Sequence, residues 1–149
     1  MDIQDTQNTI SNYAGFWKRF AAFIIDWFIT FTGGFVIGFI FGFVYGFSIG
    51  TAEGVEFFGG ILGFLASWVY YAAMESSQKQ ATVGKMALGI KVTDLNGNRV
   101  SFSKASGRFF GKIISGLILG IGFIMIAFTS KKQSLHDIMV GCLVVNKNS

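Results

Sequence analysis

Three long apolar runs, separated by shorter polar segments, organise this chain. The first extends from Phe20 to about Gly50 with a single charge, Asp26, inside it; the second covers Phe57 to Met74 and the third Phe109 to Phe128. A helix needs about 20 residues to cross a hydrocarbon core, and each run is long enough. The pattern predicts hydrophobic segments over about 18–47, 57–75 and 107–129, the first two as helices, within one membrane domain at 13–146 that follows a flexible polar N-terminus, 1–12. Between the second and third runs the period changes. Leu88, Ile90 and Val92 alternate with polar or small residues, Asp94-Leu95-Asn96-Gly97-Asn98 supplies turn chemistry, and Val100 and Phe102 resume the alternation. Asn-Gly between alternating runs predicts a hairpin over about 88–102, because both residues tolerate the positive φ of a tight turn. A final apolar stretch predicts a further strand at about 142–146. Open strand edges are not tolerated in lipid, so this small sheet is expected in the cytoplasm.

Charge sets the expected orientation. Lys18 and Arg19 precede the first run, and Lys79, Lys85, Lys91, Arg99, Lys104 and Arg108 lie between the second and third, whereas the Ser48–Glu56 segment carries Glu53 and Glu56 but no Lys or Arg. The positive-inside rule then places the N-terminus and the basic segment in the cytoplasm and the acidic loop outside. That works if the first run crosses once, as a long tilted helix. A single crossing by the third would carry Lys131, Lys132 and the last strand outside. Gly116, Gly120 and Gly122 weaken its middle, which favours a re-entrant segment over an ordinary span.

The composition agrees with a membrane chain. Hydrophobic residues make up 52% and charged residues 13%, too few charges for the polar shell of a soluble fold of this size. The net charge of +4 sits between the apolar runs, where topology explains it better than nucleic acid does. With Cys142 as the only cysteine and His136 as the only histidine, neither a disulfide nor a multi-cysteine metal site is available. The first residues lack the apolar core and cleavage site of a removable signal peptide. Gly84-Lys85 is followed by Met86 rather than Ser or Thr, and Gly120-Ile121-Gly122 lacks a third glycine, so neither nucleotide-binding fingerprint is met. No nucleophile–histidine–acid set stands out. His136 reads as a hydrogen-bonding neighbour of Asp137 or an interfacial residue rather than a catalytic base. The chain is read as a non-enzyme without cofactor or metal.

Two features ask for partners. Gly34, Gly38, Gly42, Gly46 and Gly50 recur every fourth residue and share one helix face, a glycine zipper of the kind that lets membrane helices touch through backbone. Gly59 and Gly63 offer a matching pair on the second helix, so packing within or between subunits is expected, with a glycine-lined pathway as the alternative. Asp26 lies in an apolar helix, where an acid costs about 2.5–3.5 kcal/mol on insertion scales and normally faces protein or water. Its candidate counter-charges are Arg19, one face but about 10.5 Å along the axis, and Arg108 or Lys112 of the third segment. A structural anchor and a proton- or ion-handling group are both open readings.

Three motifs in order carry a family resemblance. Tyr13-Ala-Gly-Phe-Trp-Lys-Arg19-Phe-Ala-Ala-Phe-Ile-Ile-Asp26, Gln80-Ala-Thr-Val-Gly-Lys85-Met-Ala-Leu-Gly89-Ile-Lys-Val-Thr-Asp94 and Gln133-Ser-Leu-His136-Asp137-Ile-Met-Val-Gly141 resemble the opening, central and closing motifs of the RDD family of membrane proteins. Met86 stands where members often have a basic residue. The resemblance implies a multi-pass protein of the cell membrane whose name-giving arginine and two aspartates are Arg19, Asp26 and Asp137. Transport has been proposed for the family and sodium–proton exchange is linked to some members. The expectation is therefore an all-α membrane protein with a small cytoplasmic hairpin or sheet, oligomeric, handling sodium ions or protons. A non-transporting assembly or regulatory subunit that binds other membrane proteins is the alternative. Arg19, Asp26 and Asp137 form the candidate charge cluster, supported by Arg108, Lys112 and His136.

Overall fold

A computed structural model describes residues 13–49, 55–118 and 121–147. The predicted flexible stretch 1–12, Gly50 and the acidic Glu53 lie outside them. The first apolar run forms one unbroken helix, α1 (Phe16–Ile49), of 34 residues, about 51 Å long at 1.5 Å per residue. The second is α2 (Val55–Ser76), 22 residues. Both are long and apolar enough to cross a membrane, and the rest of the chain buries none of the first apolar window and 6% of the second. Phe35, Phe39, Phe43 and Phe47 are 65–88% exposed. Continuous apolar surface of this kind requires lipid or other membrane segments against it.

After α2 the chain makes a short helix α3 (Val83–Ala87), strand β1 (Ile90–Asp94) and helix α4 (Phe102–Leu117). Helix α5 (Ile121–Ile124), a 3-10 turn (Met125–Ala127), helix α6 (Leu135–Val140) and strand β2 (Cys142–Asn146) complete it. β1 and β2 pair antiparallel, with Ile90 opposite Asn146, Val92 opposite Val144 and Asp94 opposite Cys142. On the other edge of β2, Tyr13 bridges Val145 and the Ala14 N–H donates to the Val144 carbonyl at 2.9 Å. The sheet therefore ties the base of α1 to the last strand. Its inner face, Ile90, Val92, Cys142 and Val144, packs on Ala14, Ala22, Ala72, Val100 and Ala105. The core is small because most large side chains of α1 and α2 are exposed, with Trp68 of α2 packed against it.

Two expectations change here. The Asn-Gly turn forms, with Gly97 at φ 83° and the Asp94 carboxylate accepting from the backbone N–H groups of Asn96 and Asn98 at 2.8 Å. The predicted second arm of the hairpin does not follow. Ser101 Oγ accepts from the Lys104 N–H at 3.2 Å and caps α4, so helix formation takes over at Phe102 and β1 pairs with β2 instead. N-cap chemistry, worth about 1 kcal/mol, outcompetes a strand of two alternating residues. The third apolar run is also not one helix. α4 starts earlier than 107 and ends at Leu117, and the chain then folds back: a Cβ on Gly122 would lie 2.8 Å from Ser115. Helix α6 returns along α4, where Cβ atoms on Gly107 and Gly111 would each come within 2.9 Å of it, at Val140 and His136.

α4 crosses α2 instead of running beside it. The Trp68 ring meets both Phe102 and Phe110 at 6.0 Å between centroids, and its indole N–H donates to Ser106 Oγ at 3.0 Å. One side chain of α2 thus touches a stretch of α4 about 12 Å long.

Candidate functional site: a buried charge network

Helix spacing places Arg19, Ala22 and Asp26 on the inward face of α1. Arg19 pairs with Asp137 at the start of α6, and its remaining donors reach the Ala14 carbonyl at 3.0 Å and the Lys132 carbonyl at 2.5 Å. Asp137 is fully buried and also meets Arg108 of α4 at 2.7 Å. Arg108 continues to Glu75 at the end of α2, 3.2 Å away. Glu75, 1% exposed, is shared with Lys85 of α3 and with Lys112 of α4 at 3.6 Å. Lys112 in turn lies 4.3 Å over the Tyr71 ring. A chain of alternating charge, Arg19–Asp137–Arg108–Glu75–Lys85, runs through five helices.

This arrangement fixes protonation. Burial alone would raise the Asp137 carboxyl, but Arg108 and Arg19 outweigh it and hold the group well below the usual carboxylate range. Burial brings the Lys85 ammonium down to about 8 despite the neighbouring Glu75. Burial likewise pushes His136 down to about 3, so at neutral pH it is an uncharged neighbour of Asp137 and not its counter-ion. Ser134 Oγ lies 2.9 Å from Nε2 and Ser115 Oγ 3.4 Å from Nδ1. Because the Ser115 hydroxyl donates to the Gly111 carbonyl at 2.9 Å, Nδ1–H is the donor and Ser115 the acceptor, which leaves Nε2 to accept from Ser134.

Asp26 stands apart from this chain. Among the described residues it makes no ion pair within 4.0 Å. Tyr70 OH donates to Oδ1 at 3.0 Å, the Gly84 N–H to the same oxygen at 2.8 Å and Thr82 Oγ1 to Oδ2 at 2.5 Å. The short helix α3 sits directly on α1 to make these bonds: a Cβ on Gly84 would lie 2.2 Å from the Ala22 carbonyl oxygen. Arg108 and Lys112, the cations considered for Asp26, are taken by Glu75 and Asp137.

The site therefore brings Arg19, Asp137, Arg108, Lys112 and His136 together and leaves Asp26 beside them with neutral donors. Sequence reasoning does not single out Glu75, the centre of the network, nor the donors Tyr70 and Thr82. One signal was available for Glu75: it is a lone acid closing an apolar helix directly before a basic segment. Gly34, Gly38 and Gly46 of the glycine face have no such partners among the described residues. A Cβ on Gly34, Gly38, Gly46, Gly59 or Gly63 meets nothing within 4 Å, so no packing of glycine on glycine joins α1 and α2 at these positions. Among the described residues there is no group of His, Cys, Asp and Glu able to hold a metal ion.

The three motifs of the sequence meet at this site: Arg19, Lys85 and Asp137 in the ion-pair network, and Asp26, Thr82 and Gly84 in the hydrogen bonds beside it. A family model described as the RDD family matches residues 13–141. The chain belongs to the RDD family. This RDD protein is 41% identical to YxaI of Bacillus subtilis (strain 168), a protein described as uncharacterized, over 90% of this chain and 97% of that one. It is 28% identical to YteJ of the same organism, an uncharacterized membrane protein, over 97% of this chain and 87% of that one. No solved structure matches. Family membership and two uncovered apolar helices together make it a membrane protein.

Proposed function

We propose that this RDD protein handles small cations, protons or sodium ions, at Asp26, as an oligomer in the cell membrane with its N-terminus and sheet in the cytoplasm. One observation carries the reading: Asp26 is 1% exposed, lies within the first membrane helix, and is held by hydroxyl and amide donors alone. A carboxylate paired with arginine, as Asp137 is, has its charge compensated permanently. Asp26 has no such cation in contact, so a proton or a sodium ion can supply the compensation and be given up again. Two membrane helices hardly enclose a path, which is the reason for several copies. The orientation follows the basic residues. Lys132 beside Arg19 and β2 beside Tyr13 support a re-entrant third segment, since they bring the tail back to the base of α1.

The second reading, a non-transporting assembly or regulatory subunit, draws on the uncovered faces of α1 and α2. Purified protein in liposomes loaded with pH- and sodium-sensitive dyes separates the two. Gradient-driven flux above that of empty liposomes is expected. Folded protein without flux under either gradient would leave only the second reading.

A further inference from the structure

We infer that α4 is a lipid-docking helix, its outer face seated at the headgroup–acyl boundary of one leaflet, with Arg99 and Lys104 at its N-terminal end holding the phosphates of anionic phospholipids. The helix is amphipathic in the reverse sense to a soluble one. Ala105, Arg108, Gly111 and Ser115 form its buried face, whereas Phe102, Phe110, Ile113, Ile114 and Leu117 are 42–78% exposed. Positions 110, 113, 114 and 117 recur at the spacing of one helix stripe. The crossing at Trp68 lies inside the apolar span Phe57–Ser76. It is about 12 Å from the end of α2 by rise, slightly deeper than the roughly 5–10 Å by which interfacial amphipathic helices bury their apolar face.

Charge identifies the occupant. From residue 77 to 147 the sequence has two acids, Asp94 and Asp137. Asp137 is buried in ion pairs and Asp94 spends its carboxylate on the turn. The exposed charges of this half are all basic: Lys79, Arg99, Lys104, Lys131 and Lys147. A second copy presenting the same surface would be repelled, whereas an anionic leaflet is attracted at every one of them. This inference rests on α2 being a membrane helix and stands whether or not ions cross.

Full-length protein in phosphatidylcholine bilayers, with and without phosphatidylglycerol, provides the test. Spin-labelled lipids report the relative association of the two headgroups. Wild type is expected to prefer phosphatidylglycerol, and Arg99→Gln with Lys104→Gln to reduce that preference by about fivefold or more. An unchanged preference would overturn the headgroup assignment. A spin label at Ile113→Cys in a Cys142→Ser background reports the face itself. Relaxation by oxygen in preference to a water-soluble nickel chelate is expected. Chelate-favoured relaxation would place the face in water, and protection from both would place it against protein; either result overturns the docking.

Discussion

Replacing Glu75 with glutamine removes the one carboxylate that three cations share. Lys85 and Lys112 are then left without a carboxylate within 4 Å, while Arg108 keeps Asp137. The Lys85 side chain is 10% exposed and has little water to replace the carboxylate, whereas Lys112, at 23%, is partly solvated, so most of the loss falls on Lys85. Breaking a buried pair in this way costs about 3–5 kcal/mol, a large share of a total stability of roughly 5–15 kcal/mol. Reversible unfolding by SDS in mixed micelles, followed by far-ultraviolet circular dichroism, measures the loss. Two companions check its origin. Lys85→Met combined with Glu75→Gln should cost less than the sum of the two singles, because they remove one interaction. Glu75→Leu with Lys85→Met should recover part of the loss, since an apolar pair needs no counter-charge. A loss below about 1 kcal/mol for Glu75→Gln, the scale of an exposed salt bridge, would refute a buried network.

Gly84→Ala forces a methyl group to 2.2 Å from the Ala22 carbonyl oxygen, so α3 must lift off Asp26; a destabilisation of about 1–3 kcal/mol is expected in the same unfolding assay. His136 gives a pH signature: its folded value of about 3 lies below the ordinary 6.5, so the unfolded chain takes up the extra proton and stability falls as the pH drops from 6.5 toward 3. Asp137, held low by its arginines, adds a second loss below about pH 4. As His136 is the only histidine, His136→Gln should flatten the limb between pH 6.5 and 5 in a melting-temperature series, and an unchanged slope would place the ring in solvent.

The long helices were legible because an apolar run as long as 20–50 admits few other structures. The hairpin misread shows the limit of local pattern. Val100 and Phe102 alternate as a strand would, but Ser101 is also a helix cap, and the partner that decides between them, β2, lies some forty residues away. For the site, residue type pointed to Arg19, Asp26 and Asp137, since buried charge in an apolar chain demands an explanation. Which charge meets which depended on the folding back after Leu117 and on α3 resting on α1. Neither has a period that can be read from the chain. Glu75 escaped attention because it reads as an ordinary polar end to a helix until Arg108, Lys85 and Lys112 converge on it.

Asp26→Asn, assayed side by side with wild type for stability and for ion flux in liposomes, tests the central claim most directly. The amide keeps the shape, its oxygen can still accept from Tyr70 and Gly84, and its NH2 meets Thr82 Oγ1 as a donor with the hydroxyl turned to accept, so the variant is expected to melt close to wild type while its pH- or sodium-driven flux is lost. Wild-type flux in the folded variant would show that the carboxylate carries no ion, and Asp26 would then be an anchor for α3 and nothing more.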